Sequence, residues 1–346
     1  MEPSRLATIL GRFATLRVLV VGDYFLDKYL DIQRSLAEVS LETGLEAHQV
    51  VAVRTSPGAA GTVVSNLRAL EVGVVTLGVI GDDGEGYELV RGLRERGADV
   101  SPLVQTRERL TPTYTKPIMH EPDGTWHELS RLDIKNRTPL PAPLEERVIA
   151  RLWELVPQVD GVIVADQVPE RNCGVITDRV RHELAVLAER HPQVVMAADS
   201  RLRIGEFRNL VLKPNAHEAM RAIHPEHAGE VTLAEAREAG QLLSRRSGRA
   251  VFVTVGERGI LLCEGERHQH IPAVPVEGPI DIVGAGDSTM AGIVAGLCAG
   301  ASLAEAALLG NLVASVTIRC LGTTGTASQQ EVLDALTLWR KAWAAS

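Results

Sequence analysis

The stretch Asp281-Ile-Val-Gly-Ala-Gly-Asp-Ser-Thr-Met290 places two glycines and an aspartate where a strand hands over to a long apolar helix. Small residues at such a turn leave backbone N–H groups bare at the helix start, where they can hold an anion. An aspartate among them repels a bound anion unless it serves the reaction. Gly284, Ala285 and Gly286 can offer amides to a phosphoryl group, while Asp287 accepts the proton of the attacking hydroxyl. The helix dipole is expected to keep Asp287 ionised. A helix-capping aspartate after a flexible turn is the plainer alternative.

Short apolar runs recur upstream of this turn, at 17–22, 73–79, 161–165, 194–198, 210–212 and 250–254. Their length and β-branching read as buried strands. Helical patterns lie between several of them, at 63–71, 87–96, 143–156, 175–190 and 233–246. This alternation predicts a mostly parallel sheet covered by helices on both faces. Segments 45–53 and 113–132 break the pattern with strands that interleave polar residues, and Pro122-Asp123-Gly124 is a hairpin turn signal. These strands, near 33–54 and 112–133, are expected to form a small β lid over a cleft, within one α/β domain spanning 1–346.

Composition narrows the function classes. The 346 residues carry a net charge of −8, which argues against nucleic acid or an anionic membrane as partner. The run 288–304 is uncharged but holds three glycines and is too short to span a bilayer, so it reads as a buried helix packed closely on the sheet. The four cysteines lack a CxxC pair and read as free thiols. No signal peptide is evident, and cytoplasmic residence is the expectation.

Further motifs each carry two readings. Gly58 to Leu67 follows Pro57 and opens a helix with small residues, suited to close ligand approach or to tight helix packing. Asp23 and Asp27 follow the first strand, where open α/β sheets bind ligands; they suit a polyol or a capped turn. Asn215 and Glu218 share one face of a helix start, where they can order water around a cation or form a capping box. Neither GxGxxG after the first strand nor GxxxxGK(S/T) occurs, so dinucleotide-binding and Walker-type loops are not matched.

The order of these motifs resembles the PfkB (ribokinase-like) carbohydrate kinases over roughly 15 to 340. GD-x-x-x-D, PGAAGTV, GDDGEG, KPNAHE, VTVGERG and DIVGAGD succeed one another. Within that family the chain looks most like the kinase half of heptose-7-phosphate kinase proteins, through Thr115-Lys116 and Arg131-Leu-Asp133. The nucleotidyltransferase half often fused to those kinases is not expected, since the sequence stops at 346.

The resemblance implies ATP-dependent phosphorylation of a sugar or sugar-phosphate hydroxyl, with Mg²⁺. It implies Asp287 as base, with Gly284, Ala285 and Gly286 as the anion hole. Asp27, Gly58, Ala59 and Thr62 would border the sugar, and Lys116 and Arg131 would meet a phosphate on it. Asn215 and Glu218 would organise Mg²⁺ through water. Thr254, Gly256, Gly259 and Asn311 would border the nucleotide. Asp281 stands where relatives bind a monovalent cation such as K⁺, with carbonyls near 322–325. Lid strands build dimers in this family, so a homodimer is expected. Three positions depart from the family: Ala59 replaces a glycine, Thr62 an asparagine and Phe25 a polar residue. The alternatives are a kinase for another small alcohol, such as a nucleoside or neutral hexose, or a catalytically silent sugar-binding protein of the same fold.

Overall fold

The computed structural model describes residues 1–322 and 324–343. Its largest sheet has eight strands. Arg17–Gly22 lies between Gly73–Leu77 and Gly161–Asp166, and Val195–Ser200, Val211–Leu212 and Val251–Thr254 follow, all parallel. An antiparallel pair, Ile260–Glu264 and Arg267–Ile271, closes that edge.

Alternate residues of each strand enter opposite cores, as the period of two demands. Val18, Val20, Ile163 and Phe252 face helices Pro3–Leu10, Ala60–Ala69, Ala285–Cys298, Leu303–Thr317 and Gln329–Trp343. Leu19, Val21, Val162 and Val253 face Ala142–Leu155, Asp178–Arg190, Ala216–Ile223 and Leu233–Ser247. Coverage on both faces is why these strands appear in the sequence as unbroken apolar runs.

The uncharged helix Ala285–Cys298 uses its glycines differently from the expectation. Gly292 approaches Gly310 of helix Leu303–Thr317, where a Cβ would stand 3.1 Å from the Gly310 Cα. The glycines therefore admit a second helix rather than the sheet. Among the described residues, no helix is long and apolar enough to cross a membrane.

The lid is a five-stranded sheet of Tyr24–Gln33, Val50–Ala59, Thr113–His120, Trp126–Glu128 and Leu132–Ile134. The turn at Gly124 forms the expected hairpin, pairing Trp126 with His120. Tyr24–Gln33, which the sequence reading does not identify as a strand, is the lid's inner strand, joining Val50–Ala59 and Thr113–His120. It starts two residues after the first sheet strand ends. Most of its residues from Asp27 outward are only half-buried, so no apolar run marks it.

Candidate active site

Helix Ala285–Cys298 begins at Gly284, whose φ of 81° is left-handed and favours glycine. A Cβ there would also press on the Thr62 and Thr324 methyls, each at 3.2 Å. Thr62 thus packs under the turn. Ala285 spends its N–H on the Ile282 carbonyl at 3.1 Å, so it is not available to an anion. The Gly286 and Asp287 amides have no backbone acceptor among the described residues.

Asp287 departs from the expectation of a fully ionised carboxylate. Burial, with the Asp199 charge, pushes its pKa up to about 7, against the pull of Lys213 and Arg201. Desolvation therefore outweighs the helix dipole. A pKa near neutrality is the value a general base works best with.

Asp199 and Lys213 lie at the carboxyl ends of neighbouring parallel strands and meet at 2.9 Å. The ammonium is 4% exposed. Burial opposes its charge, yet Asp199 and Glu218 with Asp287 hold its pKa above the usual lysine value. Neither Asp199 nor Lys213 was singled out from sequence. The signal available was a charged residue just beyond each of two apolar runs.

Asn215 and Glu218 form the capping box in full: the Glu218 amide donates to Asn215 Oδ1 and the Asn215 amide to Glu218 Oε2, each at 2.8 Å. One carboxylate oxygen of Glu218 remains outside the box. Burial and Asp199 raise its pKa. Three carboxylates, Asp199, Glu218 and Asp287, thus act on a single lysine, with Arg201 the further cation facing Glu218 and Asp287. Set against two cations, the three carboxylates leave one negative charge over. Among the described residues no three ligating side chains cluster closely enough to hold a metal ion directly, so a divalent cation here would be met through water. The backbone of Asn215 bridges to Thr254, and Gly256 follows with φ 62°.

Gly259 and Asn311 do something else. A Cβ at Gly259 would fall 2.3 Å from the Ile271 carbonyl oxygen, and Asn311 Nδ2 donates to the Ile271 and Pro272 carbonyls at 3.0 and 3.1 Å. The Trp339 indole donates to Pro272 as well. These residues grip the segment after the edge strand. Asp281 accepts from the Val283 and Gly322 amides at 3.0 and 3.1 Å, tying two loops together as a structural aspartate does. Of the carbonyls expected beside it, that of Thr323 lies outside the described residues.

On the lid, Asp27 contacts Lys116 at 3.4 Å, and Lys116 also donates to the Tyr29 hydroxyl at 3.2 Å. Burial opposes the lysine charge, but Asp27 and Tyr29 raise its pKa on balance. The Asp27 charge contributes to raising the Asp287 pKa, so the lid strand and the helix start lie near each other. Gly58 lies directly against Asp27: a Cβ there would stand 2.5 Å from Oδ2. Ala59 adopts φ 53°, ψ −116°, a conformation that suits glycine and stores strain in a residue with a side chain. Phe25 meets Tyr114 edge to face at 5.1 Å.

Two expected contacts are engaged within the protein itself. Asp23 is buried and accepts from the Gln167, Val168 and Val175 amides at 2.8, 3.1 and 2.7 Å. It anchors the 167–175 loop, and burial beside Asp166 raises its pKa to about 6. Arg131 is held by both oxygens of Asp133, at 2.7 and 3.0 Å, and stacks over Tyr114. Asp133, two residues on, thus holds the guanidinium over the ring of the residue that pairs with Asp27.

A mostly parallel sheet, a β lid and a glycine-bounded helix start holding an aspartate together define a ribokinase-like kinase. The chain belongs to the pfkB family of carbohydrate kinases, whose sequence profile matches residues 25–330. It is 30% identical over 340 residues to the bifunctional protein HldE of Trichlorobacter lovleyi, covering 98% of this chain and 66% of that protein. The corresponding protein of Helicobacter pylori is 27% identical over 318 residues, covering 91% of this chain and 66% of its own length. The chain thus spans about two thirds of the length of the curated relatives it matches. Ribokinase of Arabidopsis thaliana, complexed with ribose and ATP, superposes with a TM-score of 0.68 at 18% identity, over 93% of this chain and 98% of that one. Phosphofructokinase-2 of Escherichia coli, in complex with potassium, gives 0.67 at 18%, over 96% and 100%.

Proposed function

We propose that this kinase transfers the γ-phosphoryl group of ATP to a hydroxyl of a phosphorylated sugar of the heptose 7-phosphate kind. The observation that carries the choice of acceptor is Lys116, a mostly buried ammonium inside the cleft beside Asp27. A neutral sugar needs no such cation, whereas a sugar phosphate carries about two negative charges near neutral pH. Charge-assisted bonds to it are among the strongest available.

In this reading Asp27 accepts hydrogen bonds from the sugar, and Gly58, Ala59 and Thr62 shape the space around it. Asp287 takes the proton of the attacking hydroxyl. The Gly286 and Asp287 amides meet the phosphoryl oxygens. Thr254 and Gly256 border the nucleotide, and Gly259 and Asn311 act on it through the segment they hold. Glu218 and Asn215 would hold Mg²⁺ through water, and the ion supplies charge neutralisation on the phosphates. Whether the acceptor is phosphorylated is decided by Lys116→Ala. Its KM for heptose 7-phosphate should rise about tenfold or more, with KM for ATP nearly unchanged. A wild type that uses a neutral pentose or hexose at least about tenfold better than any sugar phosphate would reject the acceptor.

By resemblance we assign Asp281 and the loop it tethers to a monovalent cation, although the Gly322 group that meets its carboxylate is an amide donor and not a carbonyl. Potassium should then raise kcat over sodium at constant ionic strength. Equal rates in the two salts would leave Asp281 with the tethering role alone.

The lid strand Val50–Ala59 exposes Val51 and Val53 at 53% and 56%, and the separate ribbon of Glu38–Val39 and Glu46–Ala47 beside it in sequence exposes Val39 and Leu45 at 68% and 69%. The strand carrying Val51 and Val53 is an open edge, and such edges invite pairing. We assign this face to a second copy of the chain. Light scattering at micromolar concentration should give a dimer that Val51→Glu dissociates; a monomeric wild type rejects the interface.

A further inference from the structure

Lys213 has only part of its bonding capacity met. Its amide donates to the Ala198 carbonyl at 3.0 Å, which locks the start of its side chain beside the end of the neighbouring strand. Its ammonium reaches Asp199 at 2.9 Å, its one ion-pair partner among the described residues. An ammonium has three donors, and a buried charge is costly unless it is both paired and hydrogen-bonded. On its other side lies Gly286, where a Cβ would stand 3.4 Å from Nζ. The glycine keeps that side open.

The ammonium therefore stands beside the free Gly286 amide at the start of the helix that carries Asp287. A compact lysine charge fits this slot, whereas a guanidinium is a planar fork needing more room. We propose that Lys213 is a catalytic residue that touches the oxygens of the transferring phosphoryl group, and that Asp199 is the positioning residue that holds it there. The assignment rests on reading the Asp287 helix start as the transfer site.

In the step concerned, the acceptor oxygen bonds to the γ-phosphorus. The bond from that phosphorus to the β,γ-bridging oxygen breaks, and its electron pair leaves on ADP. The hydroxyl proton passes to Asp287. Charge spread over the three remaining γ-oxygens is what a fixed cation stabilises. Before nucleotide arrives, Asp199 keeps the ammonium from standing alone in a buried place.

The test uses the purified full chain and separates γ-phosphoryl contact from a structural role. Lys213→Met should lower kcat by about 10² to 10³, the range lost with one preorganised donor at a reacting centre. By calorimetry, the variant should lose about tenfold in affinity for the β,γ-imido analogue of ATP while ADP, which lacks the γ-phosphoryl group, binds as before. Asp199→Asn should move both readouts in the same direction by less, and Asp199→Glu should recover part of the loss.

Lys213→Met with wild-type kcat and an unchanged analogue-to-ADP affinity ratio overturns the assignment. If that variant melts too early to assay, Asp199→Asn decides by the same ratio, and an unchanged ratio overturns the assignment again. A wild type showing no sugar-dependent ADP release would instead remove the kinase reading, and this assignment with it. A fully active Lys213→Met removes only the assignment.

Discussion

Replacing Asp287 with asparagine is expected to lower kcat by about 10² to 10⁴, the contribution of a positioned general base. Nucleotide affinity should change little, because the side chain keeps its size. A pH series gives a second signature. The base must be ionised to accept a proton, and its pKa stands at about 7. Wild-type activity should therefore climb with pH through about 7 and level off above it. In Asp287→Asn that limb should vanish.

Stability should move the other way. A carboxyl whose folded pKa is raised favours the fold below its unfolded value and loses that contribution as pH rises through the folded one. Asparagine escapes the loss, so the variant should melt higher than wild type at pH above about 7. A variant that keeps more than about a tenth of wild-type kcat, with chemistry shown to be rate-limiting, rejects Asp287 as the base.

Gly58→Ala is expected to cut kcat/KM for the acceptor by about 10²-fold, the effect of misplacing a positioning group by about an ångström. The added carbon would fall 2.5 Å from Asp27 Oδ2 and 3.1 Å from its Cγ, closer than side-chain carbons come. The carboxylate must turn away, and its contact with Lys116 goes with it. ATP binding should stay near wild type, since Thr254 and Gly256, the residues assigned to the nucleotide, belong to the end of a large-sheet strand and not to the lid. Steady-state kinetics with each substrate varied makes the measurement. A loss under about threefold would mean that Asp27 does not hold the acceptor.

Much of the frame was readable because burial on both faces leaves a plain record. Val18–Val21 and Val162–Ala165 are apolar runs for that reason, and the helices between several such runs show their own periodic patterns. The hairpin turn at Pro122–Gly124 was equally open to reading. The inner lid strand was not, since its Asp27, Lys28 and Asp31 are satisfied by partners on neighbouring elements that no local pattern announces. Asp23 looked like a cleft carboxylate because its three amide donors come from 144 to 152 residues away. Lys213 looked like the flank of a strand for the same kind of reason: Asp199 belongs to the next strand over. Asn311 and Gly259 came by resemblance as nucleotide neighbours, and only the fold shows them gripping the backbone at Ile271.

Two of the lid's connections are locked to each other where they leave the sheet. Asp23 accepts the Ala60 amide at 3.0 Å, and Tyr24 pairs with Ala59. For a swing about this joint, the strand beyond it behaves as a lever. At roughly 3.3 Å per residue, a rotation of about 10° would carry the far end near Gln33 through about 6 Å, but Asp27 through only about 2 Å. Asp27 thus sits close to the fulcrum and keeps its aim while the rim travels. Spin labels placed near the lid tip would register such a swing, and a pair at the level of Asp27 would barely sense it.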